Sequence, residues 1–242
     1  MKNIRIYQAG TFVEGKSVTL DKVASNHLIR VLRLKNNQPF TLFNGDGGEF
    51  SCRLEISGKT AITHINSFIQ THNESPLSIH LFQGISKGER MDFAIQKAVE
   101  LGVHHITPVF CERTVVNLKA DRLDKKLQHW QSIAISACEQ SGRNIVPKIH
   151  KTCSLQQALE LNPGNLKLML EPSSKLGLNT LNPDNNVFSI YIGPEGGFSD
   201  TEIMNAKQSN VLGITLGPRI LRTETAALSA ITAIQLLWGD LG

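Results

Sequence analysis

The 242-residue sequence lacks the long apolar runs and the cysteine pairs that define several protein classes. Its longest largely apolar runs are five or six residues, as at 187–192, whereas a helix that crosses a membrane needs about 20. No C-x-x-C pair occurs, which disfavours a zinc ribbon or a disulfide scaffold and favours reduced thiols in the cytoplasm. The four cysteines are Cys52, Cys111, Cys138 and Cys153. The N-terminal residues include no apolar segment, so we expect no secretory signal.

Negative charge is scarce in the first part of the chain. Residues 1–70 carry nine Lys and Arg against five Asp and Glu, whereas the remaining residues carry sixteen of each kind. The formal net charge of +4 therefore comes from the first segment. A small basic segment beside a neutral body is typical of a module that binds a polyanion. So small an excess also simply aids solubility, and charge alone leaves both interpretations open.

Short strands dominate residues 1–72. Alternating or β-branched segments predict strands at 4–7, 38–43, 50–56 and 61–68. One helix follows Asp21, a plausible N-cap, with an apolar stripe of Val23, Leu28, Val31 and Leu32. We predict a small, mostly antiparallel β-barrel that carries a basic helix. It ends before the polar stretch that leads to Pro76.

Strands and helices alternate over residues 73–242. Buried-type strands are predicted at 77–84, 105–110, 166–170, 187–192 and 211–216. The main helices are predicted at 89–101, 121–141 and 223–238, with shorter helices after Ser154 and Ser199. This alternation predicts an α/β domain with a mostly parallel sheet and helices on both faces. Ligands of such sheets bind at the carboxyl ends of the strands.

Three strands in the last third end in loops rich in Pro and Gly. Pro stiffens a loop, and Gly lets backbone approach a ligand closely, which suits an adenine and a ribose better than a triphosphate. The spacing fits neither G-x-G-x-x-G nor a P-loop. No Ser/His/Asp order, H-E-x-x-H or metal-ligand spacing of histidines is present, so we expect no metal. The loops cover residues 170–172, 192–198 and 216–225.

Two of these loops resemble the bacterial 16S ribosomal RNA uracil-N3 methyltransferases of the SPOUT superfamily, the RsmE family. The resemblance covers essentially the whole chain. Its most specific motifs are Ile192-Gly193-Pro194-Glu195-Gly196-Gly197-Phe198-Ser199 and Leu216-Gly217-Pro218-Arg219-Ile220-Leu221-Arg222-Thr223-Glu224-Thr225-Ala226. Further matches are Lys97-Ala98-Val99-Glu100-Leu101-Gly102-Val103, Glu139-Gln140-Ser141-Gly142-Arg143 and His27-Leu28-Ile29-Arg30-Val31-Leu32-Arg33.

The resemblance implies a fold and an activity. Residues 1–72 would form a PUA-like RNA-binding barrel, and residues 73–242 a SPOUT methyltransferase domain tied in a trefoil knot. The enzyme would transfer a methyl group from S-adenosyl-L-methionine to N3 of one uridine near the 3′ end of 16S rRNA, in the decoding region of the 30S subunit. It would act as a homodimer in the cytoplasm, without a metal.

Residue roles follow from that chemistry and from the matched motifs. Uracil N3 loses a proton before it attacks, so the site needs a base, a cation that stabilises the anion, or both. Arg222 is the candidate cation, and Glu195 and Glu224 are candidate bases between which the sequence does not decide. The predicted cofactor residues are Leu170, Glu171, Ile192, Gly193, Gly196, Gly197, Leu216, Gly217, Ile220, Leu221 and Thr223. The predicted RNA-binding residues are Arg30, Arg33, Lys87, Arg90, Gln140 and Arg143.

Each role has a structural alternative. Arg222 could instead form a salt bridge in a dimer interface, and Glu195 could brace its loop. Lys87 and Arg90 could be a solvated helix start, and Arg30 and Arg33 could belong to a merely exposed basic helix. For Gln140, capping of nearby backbone is favoured over contact with the uracil. For the whole chain, two rival functions stay open. One is a related methyltransferase that acts on tRNA or on a ribose 2′-hydroxyl, and the other is an RNA-binding assembly factor without activity.

Overall fold

The structure is a computed structural model that describes residues 4–116, 120–161 and 166–242. Two compact units make up the chain. The first unit comprises Met1–Glu74 and Cys138–Val146, and the second comprises Ser75–Ala137 and Pro147–Gly242. No helix within the described ranges is long and apolar enough to cross a membrane.

The first unit is built on a five-stranded sheet with the order β1-β3-β4-β5-β2. β1 pairs with β3 in parallel, and the other pairs are antiparallel, which confirms the predicted mostly antiparallel arrangement. Alternate residues of β4 are buried, so one face of the sheet supplies a core that includes Phe40, Leu42 and Leu54. The strands are β1 (Arg5–Tyr7), β2 (Ser17–Thr19), β3 (Pro39–Phe43), β4 (Glu49–Ser57) and β5 (Thr60–Ile69).

The helix of this unit begins where the sequence predicts, but its apolar stripe is not the predicted one. Asp21 caps α1 (Lys22–Asn26) by accepting a 2.8 Å hydrogen bond from the Ala24 amide. A π-helical turn, His27–Val31, follows at once and closes with a bond from the Leu32 amide to the His27 carbonyl. This wider turn breaks the 3.6-residue period, so Leu28 is buried whereas Val23, Val31 and Leu32 are exposed.

The second unit contains a seven-stranded sheet in which every pair is parallel. Its order is β12-β10-β11-β6-β7-β8, with β9 also paired to β7. The predicted mostly parallel sheet is confirmed. The strands are β6 (Ser78–Gly84), β7 (His105–Phe110), β8 (Lys148–Ile149), β9 (Cys153–Ser154), β10 (Leu166–Leu170), β11 (Val187–Ile192) and β12 (Leu212–Ile214).

Helices connect these strands. Ser199 and Glu202 form the predicted capping box, in which each side chain accepts a hydrogen bond from the other residue's backbone amide. Ser154 and Gln157 make the same reciprocal pair. The helices are α2 (Glu89–Glu100), α3 (Ala120–Ser141), α4 (Leu155–Leu161), α5 (Asp200–Gln208) and α6 (Thr223–Trp238), with a 3-10 turn at Leu178–Thr180.

Strand order explains how distant loops meet. β12, β10, β11 and β6 are consecutive neighbours, and parallel strands present their carboxyl ends at one edge of the sheet. The three loops rich in Pro and Gly follow β10, β11 and β12. They therefore lie side by side, next to the segment that leads from β6 into α2.

Candidate active site

A cavity of about 600 Å³ lies at this edge of the sheet, inside the second unit. It joins the three loops that the sequence singles out. The predicted cofactor residues in its lining are Leu170, Glu171, Ile192, Gly193, Gly196, Gly197, Leu216, Ile220, Leu221 and Thr223. Gly217 belongs to the third loop but lies outside the lining, where its φ of 77° lets the chain turn.

The loop after β11, residues 193–198, is fixed from two sides by hydrogen bonds. The Gly193 carbonyl accepts a 2.6 Å bond from the Thr223 hydroxyl, at the start of α6. The Gly196 carbonyl accepts a 3.2 Å bond from the Arg113 guanidinium, just after β7. Within the loop, the Gly197 amide donates to the Pro194 carbonyl. A loop held in this way presents its backbone groups to the cavity in one arrangement.

Two glycines of this loop are crowded, so that a side chain at either would force a neighbour to shift. A Cβ atom on Gly193 would lie 3.2 Å from backbone atoms of Gly197, and one on Gly196 would lie 2.9 Å from Cβ of Arg113. Gly197 differs, because a Cβ atom there would meet no other atom within 4 Å. Its requirement for glycine comes from a φ of 68°, which side chains disfavour.

Glu195 braces the loop. One carboxylate oxygen accepts hydrogen bonds from the Lys87 amide at 3.0 Å and from the Arg90 guanidinium at 3.1 Å. Partial burial acts to raise the pKa of Glu195, but these hydrogen bonds outweigh it and the pKa is lowered. The carboxylate is therefore stabilised in its charged form, which makes it a weaker proton acceptor. The geometry favours bracing over base catalysis.

Arg222 and Glu224 flank the start of α6, and both line the cavity. Arg222 is the exposed N-cap residue of the helix, with extended backbone. Among the residues that the structure describes, its guanidinium makes no capping hydrogen bond and enters no salt bridge. Glu224 is half-buried, and its Oε2 atom is buried with no hydrogen-bond partner in the described chain. A cation and a carboxylate oxygen without a partner in the described chain thus both belong to the start of α6.

A third carboxylate, Glu171, closes the other side of the cavity. It is 8% exposed, accepts a 2.8 Å hydrogen bond from the Ser173 hydroxyl, and lies 3.6 Å from the Lys207 ammonium. Gly213 makes room for it, because a Cβ atom there would lie 2.2 Å from the Glu171 carboxylate.

The predicted RNA-binding residues fall into two sets. In the second unit, Lys87 and Arg90 are exposed, and Arg90 also lines the cavity while bound to Glu195. In the first unit, Arg30, Arg33 and Gln140 are exposed. These five side chains stay predicted RNA contacts, since all of them are accessible.

Arg143 requires a correction. It is only 3% exposed, and its guanidinium donates two hydrogen bonds to one carboxylate oxygen of Glu74, at 2.8 and 2.6 Å. Its carbonyl accepts a bond from Arg5, which also pairs with Glu49. A buried guanidinium in such a network stabilises the first unit and is not available to a phosphate. We therefore leave Arg143 out of the proposed RNA surface.

Sequence reasoning missed several residues that support the cavity. Gln83 and Gly84, the last two residues of β6, contact the start of α6 and the loop after β11. Arg113 holds the Gly196 carbonyl, and Phe198 and Ile203 add apolar surface. One feature of the sequence could have identified Gln83 and Gly84, because they are the last residues of a predicted strand, at the edge of the sheet where ligands bind.

In the portion of the chain that the structure describes, no group of three or more His, Cys, Asp or Glu side chains is arranged to hold a metal ion. The lining of the cavity combines glycines and aliphatic side chains with charged side chains, among them Glu171, Arg222 and Glu224.

Comparison with known proteins defines the class. Residues 73–235 match the family described as the RNA methyltransferase domain, and residues 20–65 match the RNA methyltransferase PUA domain. A structure of a Legionella pneumophila methyltransferase with bound cofactor SAM superposes with a TM-score of 0.97 at 41% identity, covering 100% of both chains. The fold, the cavity and the two matched domains are those of an RNA methyltransferase with a PUA-like unit.

The relatives narrow this class. Ribosomal RNA small subunit methyltransferase E of Buchnera aphidicola subsp. Schizaphis graminum is 40% identical over 98% of this chain and 97% of its own length. The Bacillus subtilis protein of that name is 34% identical over 98% and 95%. The structure of ribosomal RNA small subunit methyltransferase E from Neisseria gonorrhoeae bound to S-adenosyl methionine gives a TM-score of 0.93 at 42% identity, covering 99% and 100%. The chain belongs to the ribosomal RNA small subunit methyltransferase E family, which confirms the resemblance.

Proposed function

We propose that the protein transfers a methyl group from S-adenosyl-L-methionine to N3 of a uridine near the 3′ end of 16S rRNA, in the decoding region of the 30S subunit. The observation that carries the proposal is the cavity formed by the three loops, in a chain 42% identical to a relative solved with that cofactor. In this proposal the protein works in the cytoplasm, where bacterial 16S rRNA is found.

The cavity residues fit this cofactor. A volume of about 600 Å³ is within the range of small-molecule sites, roughly 300–1,000 Å³. Leu170, Ile192 and Leu216 supply apolar walls for an adenine, and the crowded Gly193 and Gly196 keep side chains out of the space beside them. Bound there, the cofactor supplies a methyl group on a positively charged sulfur.

Arg222 stabilises the uracil anion in this proposal. N3 of uracil carries a proton and becomes a good nucleophile only as that proton leaves, so negative charge develops on the base. An exposed guanidinium without a salt bridge in the described chain is free to meet that charge. The N-terminus of α6 adds backbone N–H groups that favour an anion at the same place.

Glu224 is the better candidate for accepting the N3 proton. Glu195 is committed to Lys87 and Arg90, and its lowered pKa weakens it as a base. Glu224 has a buried oxygen without a partner among the described residues, two positions from Arg222 on the same helix start. A base beside the cation that stabilises the product of deprotonation is a consistent pair.

The exposed cations of the first unit bind the rRNA backbone. Arg30 belongs to the π-helical turn and Arg33 follows it, with a φ of 54°. Both are accessible. Arginine suits phosphate because its planar fork donates two parallel hydrogen bonds. In the second unit, Lys87 is available in the same way beside the cavity.

The protein works as a homodimer in this proposal, as the resemblance implies. Leu236, Leu237 and Leu241 support it, since they expose 58%, 46% and 48% of their surface at the end of the second unit. Exposed large apolar side chains that are close in sequence are consistent with a contact surface between proteins. Light scattering on the purified chain tests the claim, and a mass of one chain at micromolar concentration would contradict it.

Methyl transfer in vitro tests the activity. The purified protein is incubated with S-adenosyl-L-methionine carrying a labelled methyl group and, in parallel, with 30S subunits, protein-free 16S rRNA or tRNA. Labelled RNA is digested, and the nucleosides are separated. We expect N3-methyluridine from 16S rRNA. A 2′-O-methylated nucleoside or labelled tRNA would favour the rival methyltransferase, and no label together with no cofactor binding would favour an inactive RNA-binding factor.

A further inference from the structure

Two buried polar side chains link the end of β6 to the start of α6 and to the loop after β11. The amide nitrogen of Gln83 donates a 2.9 Å hydrogen bond to the Thr223 hydroxyl oxygen. That hydroxyl donates a 2.6 Å bond to the Gly193 carbonyl. Gln83 is fully buried and Thr223 is 6% exposed, so water does not compete for these bonds.

The direction of this chain is fixed by its donors and acceptors. The Gly193 carbonyl accepts only, so the single hydroxyl hydrogen of Thr223 points toward it. Thr223 must then accept from Gln83, which turns the amide NH₂ group toward it. The second hydrogen of that NH₂ group goes to the Gly84 carbonyl at 3.1 Å. Replacing Gln83 or Thr223 by an apolar residue breaks this series of hydrogen bonds.

The amide is a costly way to hold the fold together. Its Oε1 atom is buried and has no hydrogen-bond partner in the described part of the chain. A buried acceptor without a partner destabilises the folded state, whereas an apolar side chain of similar shape carries no such penalty. Methionine would remove this penalty, but it would also remove the bonds that the amide donates to Thr223 and to the Gly84 carbonyl, so the stability of the fold has to be measured beside the activity.

The hydrogen-bonded series Gln83–Thr223–Gly193 leads to the residues that the proposed reaction uses. Thr223 lies between Arg222 and Glu224, and the three form the N-cap and first two positions of α6. Gly193 belongs to the cofactor loop. The Gln83–Thr223–Gly193 chain thus sets the helix start that carries Arg222 and Glu224 against the loop that holds the methyl donor.

We propose that Gln83 is a positioning residue for methyl transfer. It acts through Thr223 to hold Arg222 and Glu224 at a fixed position relative to the loop after β11, residues 193–198. The inference rests on the proposed function, because it concerns the rate of that reaction. Gln83 lies outside the cavity lining and touches neither reactant. Its removal is expected to lower turnover at saturating cofactor more than it lowers cofactor affinity.

Gln235 provides a matched control. It is also fully buried and belongs to the same helix α6, near its other end. Its amide donates a 2.9 Å bond to the Leu101 carbonyl and accepts a 2.8 Å bond from Ser75. Gln235→Met removes a buried amide from this helix without touching its first turn. It therefore reports what the loss of such a group does to the fold alone.

The test compares Gln83→Met, Thr223→Val, the double variant and Gln235→Met by methyl transfer to 30S subunits, cofactor calorimetry and thermal unfolding. We expect Gln83→Met and Thr223→Val each to lower turnover at saturating cofactor about 10–100-fold, since small misplacements of reacting groups cost that much. Gln83→Met should change cofactor Kd less than about threefold, and Gln235→Met should change turnover less than about threefold, because neither residue lines the site. Thr223→Ser keeps the hydroxyl and should recover most of the turnover.

The double variant decides whether Gln83 and Thr223 act as one coupled unit. Members of a unit give non-additive effects, so it should be no slower than the slower single variant. Additive losses, or a Gln83→Met turnover equal to that of Gln235→Met, would overturn the positioning role. If Gln83→Met does not fold, the Thr223→Val and Thr223→Ser pair decides the same question. Wild type that binds cofactor but methylates no rRNA would refute the proposed function, and this inference with it.

Discussion

Gly84 and Pro194 approach so closely that a Cβ atom on Gly84 would lie 2.5 Å from the backbone nitrogen of Pro194. The same Cβ atom would lie 2.9 Å from the carbonyl oxygen of Ile192. The end of β6 thus supports the loop after β11, residues 193–198, by backbone contact. Real Cβ atoms do not approach other atoms so closely, and the neighbours are backbone, so any side chain at residue 84 must displace the loop.

Gly84→Ala is therefore expected to weaken cofactor binding about 5–150-fold, because overpacking of this kind costs about 1–3 kcal/mol and falls on the loop. Gly177→Ala is the control, since its Cβ meets only the end of the Asn179 side chain. Calorimetry with S-adenosyl-L-methionine measures both. Equal affinities for the two variants would show that the loop tolerates the shift.

Gly197→Val tests the conformation of the same loop. A β-branched residue at a φ of 68° is strained by roughly 1–3 kcal/mol, so the loop must change its backbone and lose its cofactor contacts. We expect loss of cofactor binding with the fold retained by circular dichroism. Gly15→Val shares the φ, 72°, and the open space, but lies in the first unit. The cavity assignment is wrong if both variants bind cofactor like wild type.

Arg30→Ala combined with Arg33→Ala should weaken 30S binding and flatten its salt dependence. Each phosphate contact contributes about 0.7–0.9 to the slope of log K against log salt, so two lost contacts lower the slope by roughly 1.4–1.8. Cofactor affinity should not change. Lys16→Ala with Lys59→Ala removes the same charge from other exposed positions of the first unit and should change the slope less. Identical slopes for the two double variants would remove the arginines from the RNA surface.

Arg222→Ala should lower turnover about 100–1000-fold at neutral pH, which is typical for losing one contact to developing charge. Arg222→Lys keeps the charge without the fork geometry and should recover only part of it. Rising pH ionises N3 without help, so the gap between Arg222→Ala and wild type should narrow at alkaline pH. Cofactor affinity and dimer mass serve as controls. Loss of the dimer, or a defect of the same size at every pH, would favour a structural salt bridge.

A cluster of imidazoles makes the fold sensitive to acid. His80 is 9% exposed, and its ring centroid lies 4.1 Å from that of Phe82 and 5.1 Å from that of His150. Its Nε2 atom forms a 2.8 Å hydrogen bond with the Thr107 hydroxyl. Burial, followed by the charges of His150 and His105, lowers the pKa of His80 to about 3. Burial, followed by the charge of Lys148, also lowers the pKa of His105, and burial, followed by the charges of His105 and Lys148, lowers the pKa of His150.

Below the unfolded pKa near 6.5, the unfolded chain binds a proton at His80 that the folded protein does not bind until its own, lower pKa is reached. The free energy of unfolding therefore falls as pH falls below 6.5, and His80 does not change it above that value. For His80 alone, the loss at pH 5 is about 2 kcal/mol in the free energy of unfolding. Urea unfolding between pH 5 and 8 measures it. His80→Gln should flatten this dependence, whereas His64→Gln, at an exposed imidazole, should not. A wild-type free energy that is constant over this range would contradict the account.

Much of the second unit could be predicted from sequence, because its elements are long and strongly patterned. The predicted strand 105–110 and helix 223–238 are those of β7 and α6. The meeting of the three loops followed from the rule that parallel strands end at one edge. β8 and β9, with two residues each, are too short to show an alternating pattern. The trefoil knot stays a prediction, since it depends on how the chain is threaded and not on which strands pair.

The residues that sequence reasoning misjudged are those whose role depends on a distant partner. Arg143 looks like a phosphate ligand at the end of a helix until Glu74, 69 positions away, is seen to bury it. Gln83 is the penultimate residue of β6, and only its hydrogen bond to Thr223 suggests the positioning role that we propose for it. Hydrogen-bond partners across such separations leave no pattern in a single sequence.

The most direct test of the central claim is the modification state of 16S rRNA in cells that have or lack this protein. The rRNA is purified from both strains, and the segment near the 3′ end is isolated, digested and analysed for nucleosides by mass spectrometry. We predict one N3-methyluridine in that segment when the protein is present, its absence after deletion, and its return with the wild-type gene but not with Arg222→Ala. N3-methyluridine at the same level in both strains would contradict the proposed function.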